Sequence, residues 1–212
     1  MATVGLGYGE LQAEIARRMD ALDELQEEAE HLGAYGDLIG RGLVRAIGAS
    51  NYTAPRLTLA LETSARYNLP RYESLQPLYN LYDRRIFEEE LQPLCVRNGL
   101  GVVNFYALAA GFLTGKYRTA ADAGKSVRGI NTVAKYLNAR GNRILAALDA
   151  VALRHQTQPG SIAIAWQLTR PGITAPIASA TSLAQLEGLV AATRLTLDAA
   201  DLAELDAASV ED

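Results

Sequence analysis

Residues 99–117 read GLGVVNFYALAAGFLTGKY, and this stretch decides what kind of fold the chain can have. Leu100, Val102, Val103 and Phe105 make a short apolar run rich in β-formers, the composition of a parallel strand covered on both faces. Gly99 and Gly101 loosen the backbone where the run begins. Beyond Phe105 the side chains shrink through Ala107, Ala109, Ala110 and Gly111 before Leu113, Thr114, Gly115 and Lys116. So bare a backbone lets a ligand approach closely, with the ammonium group of Lys116 behind it, and that combination suits phosphate. Without a ligand, Gly111 and Gly115 simply turn the chain and Lys116 is a solvated charge. Residue chemistry alone leaves both readings standing.

Working upstream, Arg84 to Arg97 has helical spacing and is preceded by a loop after Tyr72–Gln76, a strand closed by Pro77. Before that, Leu43 to Gly48 reads as a strand ending in the polar run Ala49, Ser50, Asn51 and Tyr52. Thr53 then caps a helix with Pro55 in its first turn, running to about Tyr67. From Glu10 to Leu32 apolar residues recur at Leu11, Ile15, Met19, Leu22, Leu25, Ala29 and Leu32, which predicts one long amphipathic helix. Its stripe suits packing on a core, with a partner helix as the alternative. Gly33, Gly36, Gly40 and Gly42 predict a loop after it.

Downstream, Arg118 to Arg140 is small and polar, an excursion able to cover a ligand. Helices follow over Asn142–Arg154 and Pro159–Thr169, the second with Trp166 facing the core. Ile173–Ile177 reads as a fourth strand. Ser182 caps a helix to Ala191, and Asp198 caps the last one to Ala207. Strands each followed by a helix, with polar residues gathered just after the strands, predict an α/β fold of parallel βα units with ligands at the carboxyl ends.

The chain has 212 residues, 49% hydrophobic and 21% charged, enough to bury a substantial core. A formal net charge of -4 offers no basic surface to nucleic acid, and no apolar run is long enough for a membrane helix. Neither is an expected partner. One cysteine, Cys95, at helical spacing from Leu91, is expected to be a buried structural thiol. With His31 and His155 the only histidines, each in a polar helical setting, no metal site is expected. The start, MATVGLGYGELQ, lacks the order of a secretory signal, so a cytoplasmic protein is expected.

FYALAAGFLTGKY resembles the seventh strand and loop of the aldo-keto reductases, where a YSPLAxGFLTGKY-type segment lies against the nicotinamide and pyrophosphate of NADP. GLVRAIGASNY, SLQPLYNLYDR, YLNARGNRILAALDAVALRH, IAIAWQLTRPGITAPIASATSLAQLEGLV and LDAADLAELDAAS resemble successive family segments in the same order. ALDEL, Ala21 to Leu25, is similar to the helix before the fifth strand. The resemblance runs from about Gly42 to Ser209 and implies a (β/α)8 TIM-barrel type, here a partial (half) barrel with an added N-terminal helix. Two regions are expected: residues 1–41, helical segment and loop, and 42–212, the reductase-like βα domain.

Carried over position by position, Ser50 and Asn51 match the pair that hydrogen-bonds the nicotinamide carboxamide, and Gln76 the glutamine that assists them. Phe105 stands where a tyrosine stacks on the nicotinamide ring, and Tyr106 and Ala107 replace the usual serine and proline. Leu108, Gly111 and Lys116 match loop positions near the phosphates. Ser179, Thr181 and Gln185 match the loop and helix start that hold the adenosine 2'-phosphate. SATSLAQ contains no basic residue, and Gly188 and Leu189 replace an acidic residue and an asparagine, which leaves NADP against NAD open.

The implied function is NADP(H)-dependent reduction of aldehydes or ketones, with a small carbonyl compound as substrate. The alternative is a non-catalytic NADP-binding half-barrel with a regulatory or assembly role. The family's catalytic aspartate, tyrosine, lysine and histidine come from its first four strands, and no match to them is found, so the catalytic residues are unknown. Turnover by these residues is expected to be very slow, Tyr79, Tyr82 and Tyr106 being the nearby phenols that could replace the proton donor. Four parallel strands leave long unpaired edges, from which a homo-oligomer is expected.

Overall fold

The computed structural model describes residues 8–211, which fall into two compact units, one ending at Glu73 and the other beginning at Ser74.

In the first unit, α1 (Tyr8–Gly40) is followed by β1 (Ile47–Ser50), α2 (Ala54–Tyr67) and the start of β2 (Tyr72–Gln76). The loop expected over the glycines begins only after Gly40, because α1 runs on through Gly33 and Gly36. Each interior glycine costs a helix about 1 kcal/mol relative to alanine. The last turns recover this by packing. A Cβ at Gly36 would stand 3.4 Å from the Pro70 ring, Leu32 is fully buried, and Tyr35 meets the Tyr72 ring edge-on at 6.4 Å. Gly42, at φ 70, makes the turn that follows.

The apolar stripe of α1 is buried only toward this end: Leu25 and Ala29 are half-buried, whereas Met19 and Leu22 are exposed. The side chains of Leu11, Ile15 and Ala21 lie outside the described residues. Core packing of the whole stripe is therefore corrected to packing of its last turns. Buried Glu28 accepts from the Tyr52 hydroxyl at 3.3 Å and faces Arg56 at 3.8 Å, and Tyr52 meets Tyr72 hydroxyl to hydroxyl at 3.1 Å. Strand β1 begins four residues later than expected and takes in Ser50. Thr53 caps α2 as expected, accepting from Arg56 N.

The second unit continues β2, which pairs in parallel with β3 (Gly101–Val102), Ser74 opposite Gly101 and Leu75 opposite Val102. The strand order is β1-β2-β3. The ladder extends past β3 through Val103 N to Leu75 O and Phe105 N to Pro77 O. The expected fourth strand is reduced to one parallel bridge, Val102 with Ile173, and the bonds Ala175 N to Val102 O and Ile177 N to Asn104 O. Pro176 explains this: it has no N–H to give to a ladder.

Between the strands, one wide turn (Phe87–Leu91) leads into α3 (Gln92–Asn98). Pro93 supplies no N–H to the carbonyl four residues back, and the widened turn absorbs the break. After β3 come short tight turns over Ala109–Thr114 and Ala120–Lys125, then α4 (Gly129–Tyr136), α5 (Ala139–Arg154), α6 (Pro159–Leu168), α7 (Leu183–Ala192) and α8 (Ala199–Ser209). The excursion over 118–140 is thus partly helical. Caps fall where expected: Ser182 accepts from Gln185 N, and Asp198 from Asp201 N in a reciprocal box with the Asp201 side chain.

Helix α6 is buried all round from Ser161 to Gln167, with Trp166 fully buried and stacked on Tyr79. Cys95 is buried as expected, and burial pushes its thiol up to about 11. Histidine 155 lies against α8, its Nε2 2.6 Å from Asp201. No helix among the described residues is long and apolar enough to cross a membrane.

Candidate cofactor site at the strand ends

The first unit holds two of the residues singled out in the sequence. Ser50 ends β1 and Asn51 follows it in the left-handed region at φ 58, its Nδ2 3.4 Å from Ser50 Oγ. Asparagine is among the residues that accept this conformation most readily. Both side chains are exposed at the carboxyl end of the strand.

The other eight belong to the second unit. Gln76 ends β2, and the bridge between Leu78 and Phe105 puts Phe105 at the same end of the neighbouring strand. Ile177 lies alongside Asn104, so Ser179, two residues on, leaves the sheet at that edge too. Gln76, Phe105 and Ser179 therefore share the carboxyl edge of three parallel segments, where a ligand of a βα array sits.

The loop leaving Phe105 is strained. Tyr106 (φ 54), Ala109 (φ 49) and Ala110 (φ 54) are all left-handed, and only Gly111 (φ 89) occupies that region without cost. Each such side-chain-bearing residue costs about 1–3 kcal/mol, and strain of this kind gathers at ligand-binding loops. Leu108 anchors the loop by packing with Ala107, Ile164 and Ala192. A Cβ at Gly111 would stand 2.9 Å from Cε and 3.0 Å from Nζ of Lys116. The lysine thus lies across the bare backbone of Gly111, with its Nζ also 4.9 Å from the centre of the Tyr117 ring.

Thr181 and Gln185 are brought together at the start of α7, where the Thr181 N–H and hydroxyl both donate to Gln185 Oε1, at 2.8 and 3.1 Å. Gln185 therefore fixes the entry to the helix.

Of the three phenols considered as proton donors, Tyr79 is fully buried and donates to Glu88 at 2.7 Å, and burial raises its pKa well above the ordinary value. Tyr82 accepts from Asn138 at 2.8 Å with the Arg140 guanidinium 4.4 Å from its ring centre. Both serve the structure. Tyr106 is the exposed one, its ring 5.4 Å from that of Phe105.

Two buried asparagines escaped the sequence reading. Asn104 gives its Nδ2 to Tyr79 O and to Gln167 Oε1, and Gln167 Nε2 passes the network on to Ala107 O. An asparagine in the middle of VVNF was the available signal, since a buried polar side chain requires partners. Asn80 is the other, fully buried in the loop after β2.

The sequence profile of the Aldo/keto reductase family matches residues 12–210. The chain belongs to the aldo-keto reductase family. It is 30% identical to Protein tas of Escherichia coli (strain K12) over 203 residues, 95% of this chain and 56% of that protein. It is 28% identical over 193 residues to the L-glyceraldehyde 3-phosphate reductase of the same organism, covering 87% and 55%. A probable voltage-gated potassium channel subunit beta of Arabidopsis thaliana is 28% identical over 174 residues, 80% and 52%. This chain spans about half the length of these relatives. Among solved structures, the thermostable aldo-keto reductase Tm1743, crystallised with the inhibitor epalrestat, superposes with a TM-score of 0.63 at 23% identity, over 85% of this chain and 54% of that one. The aldo-keto reductase fold is α/β and TIM-barrel-like, and this chain carries it as a parallel sheet with intervening helices.

Proposed function

We propose that this chain carries the NADP(H)-binding part of an aldo-keto reductase that reduces small aldehydes or ketones. The observation that carries the reading is the Lys116 ammonium lying over the bare backbone of Gly111, beside a strained loop at the carboxyl edge of the sheet. Those residues fit a diphosphate: a fixed positive charge, and a main chain that a phosphate oxygen can approach without meeting a Cβ. Phe105 would lie against the nicotinamide ring, with Gln76 supplying an amide group to its carboxamide. Ser179, Thr181 and Gln185, at the start of α7, would face the adenosine end, where the N-terminus of a helix favours an anion.

When bound, the nicotinamide supplies a hydride to a carbonyl carbon, and the oxygen takes a proton. The chain's own residues orient the ring and neutralise the phosphates. A small aldehyde as substrate class is consistent with the name of the glyceraldehyde 3-phosphate reductase relative. The name of the channel-subunit relative favours the second reading, in which the same site binds NADP(H) and its occupancy regulates a partner.

Titration with NADPH, followed by the change in its fluorescence, tests the cofactor reading. Lys116→Ala is expected to weaken binding about tenfold, the scale of one charge-assisted contact. Binding that is unchanged by that substitution would remove Lys116 from the site, and a parent that binds neither NADPH nor NADH would remove the reading itself. A second copy of this chain is the partner expected from the strand edges, in a cytoplasmic setting. Light scattering that gives a single-chain mass at both low and high protein concentration would end that expectation.

A further inference from the structure

The Asn80 side chain joins two loops that leave neighbouring strands. Its Oδ1 accepts from the main-chain N–H groups of Tyr82 at 2.8 Å and Asp83 at 2.9 Å. Its Nδ2 donates to Asp83 Oδ2 at 3.1 Å and to the Tyr106 carbonyl at 3.0 Å, a residue 26 positions along the chain. Both acceptor sites and both N–H groups of the amide are thereby used. Asp83 is held in turn by the Tyr136 hydroxyl at 2.8 Å and by Lys135 Nζ at 2.9 Å.

The residue at the far end of this clasp is the strained one. Tyr106 is an aromatic residue at φ 54, a conformation its Cβ disfavours, and it holds Phe105 on one side and the bare loop to Gly111 on the other. Its carbonyl takes a second bond from Ala109 N–H at 2.7 Å. A strained residue stays strained only where its surroundings over-determine it, and the Asn80 amide is the side chain that reaches across to do so.

We propose that Asn80 is a positioning residue for the cofactor site, holding Tyr106 left-handed so that Phe105 and the Leu108–Gly111 loop keep the geometry that receives the cofactor. This rests on the reading that NADP(H) binds at that edge. Aspartate, although isosteric, cannot take over the role. It has no N–H for the Tyr106 carbonyl and would set a second carboxylate against Asp83.

The test uses Asn80→Asp, Tyr106→Gly and the pair combined, because glycine adopts a positive φ without strain and makes the clasp dispensable. Two quantities are read: NADPH affinity by fluorescence, and hydrogen exchange at the Ala109 amide, which needs no cofactor. Asn80→Asp is expected to weaken NADPH about tenfold and to speed exchange at Ala109 at least tenfold. Adding Tyr106→Gly is expected to bring affinity back to within about threefold of the parent.

Parent-like affinity and exchange in Asn80→Asp would overturn the proposal, and so would a double variant that binds no better than Asn80→Asp. A merely structural asparagine would lower stability without being rescued at position 106. If Asn80→Asp does not fold, a double variant that folds supports the proposal and one that does not overturns it. If the parent binds no NADPH, the cofactor reading falls, and faster exchange at Ala109 in Asn80→Asp still decides whether Asn80 holds the loop.

Discussion

Trp166→Ala is expected to destabilise the second unit by about 3–5 kcal/mol, the range for deleting a large buried aromatic side chain. Tyr79 stacks on the indole at 5.7 Å between ring centres and an interplanar angle of 29°. The guanidinium groups of Arg84 and Arg170 lie 5.0 and 4.3 Å from its centre, so removal leaves two charges beside a void as well as a cavity. The indole N–H donates to Asp206 Oδ1 at 3.0 Å, an oxygen that also accepts from Arg84 and Arg170. Arg84 further bonds Ser209, so the indole underlies the seat of α8. Trp166→Phe keeps most of the packing and loses the N–H, and should cost a smaller amount, about 1–2 kcal/mol. Because Trp166 is the only tryptophan in the chain, urea unfolding should be followed by far-ultraviolet circular dichroism. A shift of under about 1 kcal/mol for the alanine variant would contradict this account of the core.

Much of the fold could be read from the sequence because the decisive signals are local. Thr53, Ser182 and Asp198 cap their helices through residues three positions away, and Pro159 starts α6. The Gly111–Lys116 placement is equally local. The family's ordered segments then said how these pieces assemble. What could not be read depends on partners distant in sequence. The persistence of α1 through Gly33 and Gly36 is decided by Pro70 and Tyr72, outside the window in which a glycine breaks a helix. The loss of the fourth strand follows from Pro176, whose missing N–H outweighs the apolar run around it. The two amides that fix the site loops, Asn80 and Asn104, reach partners 26 and 63 residues away. A sequence shows that such an asparagine is out of place in an apolar stretch, but not which carbonyl it will meet.

Gly141→Ala is expected to cost about 3 kcal/mol or more, although alanine is normally the better helix residue. The reason lies in the approach of α5 to the end of α4. A Cβ at position 141 would lie inside contact distance of the Tyr136 carbonyl oxygen, and 2.9 Å from Phe112 Cζ. The first neighbour is main chain and has no rotamer by which to escape. To make room, the connection from Tyr136 to Gly141 must move, and Asn138, whose side chain caps α5 by accepting from Gly141 N at 2.9 Å, lies within it. Losing such a cap alone costs about 1 kcal/mol. Tyr136 would move as well, disturbing its stack on Phe112 at 5.6 Å and its bond to Asp83 at 2.8 Å, so the damage should reach the loop that Asn80 holds. Gly124→Ala is the control, since a Cβ there meets nothing within 4 Å, and it should leave stability within about 0.5 kcal/mol. Equal urea midpoints for the two variants would show that the Tyr136–Gly141 connection yields more easily than this packing requires.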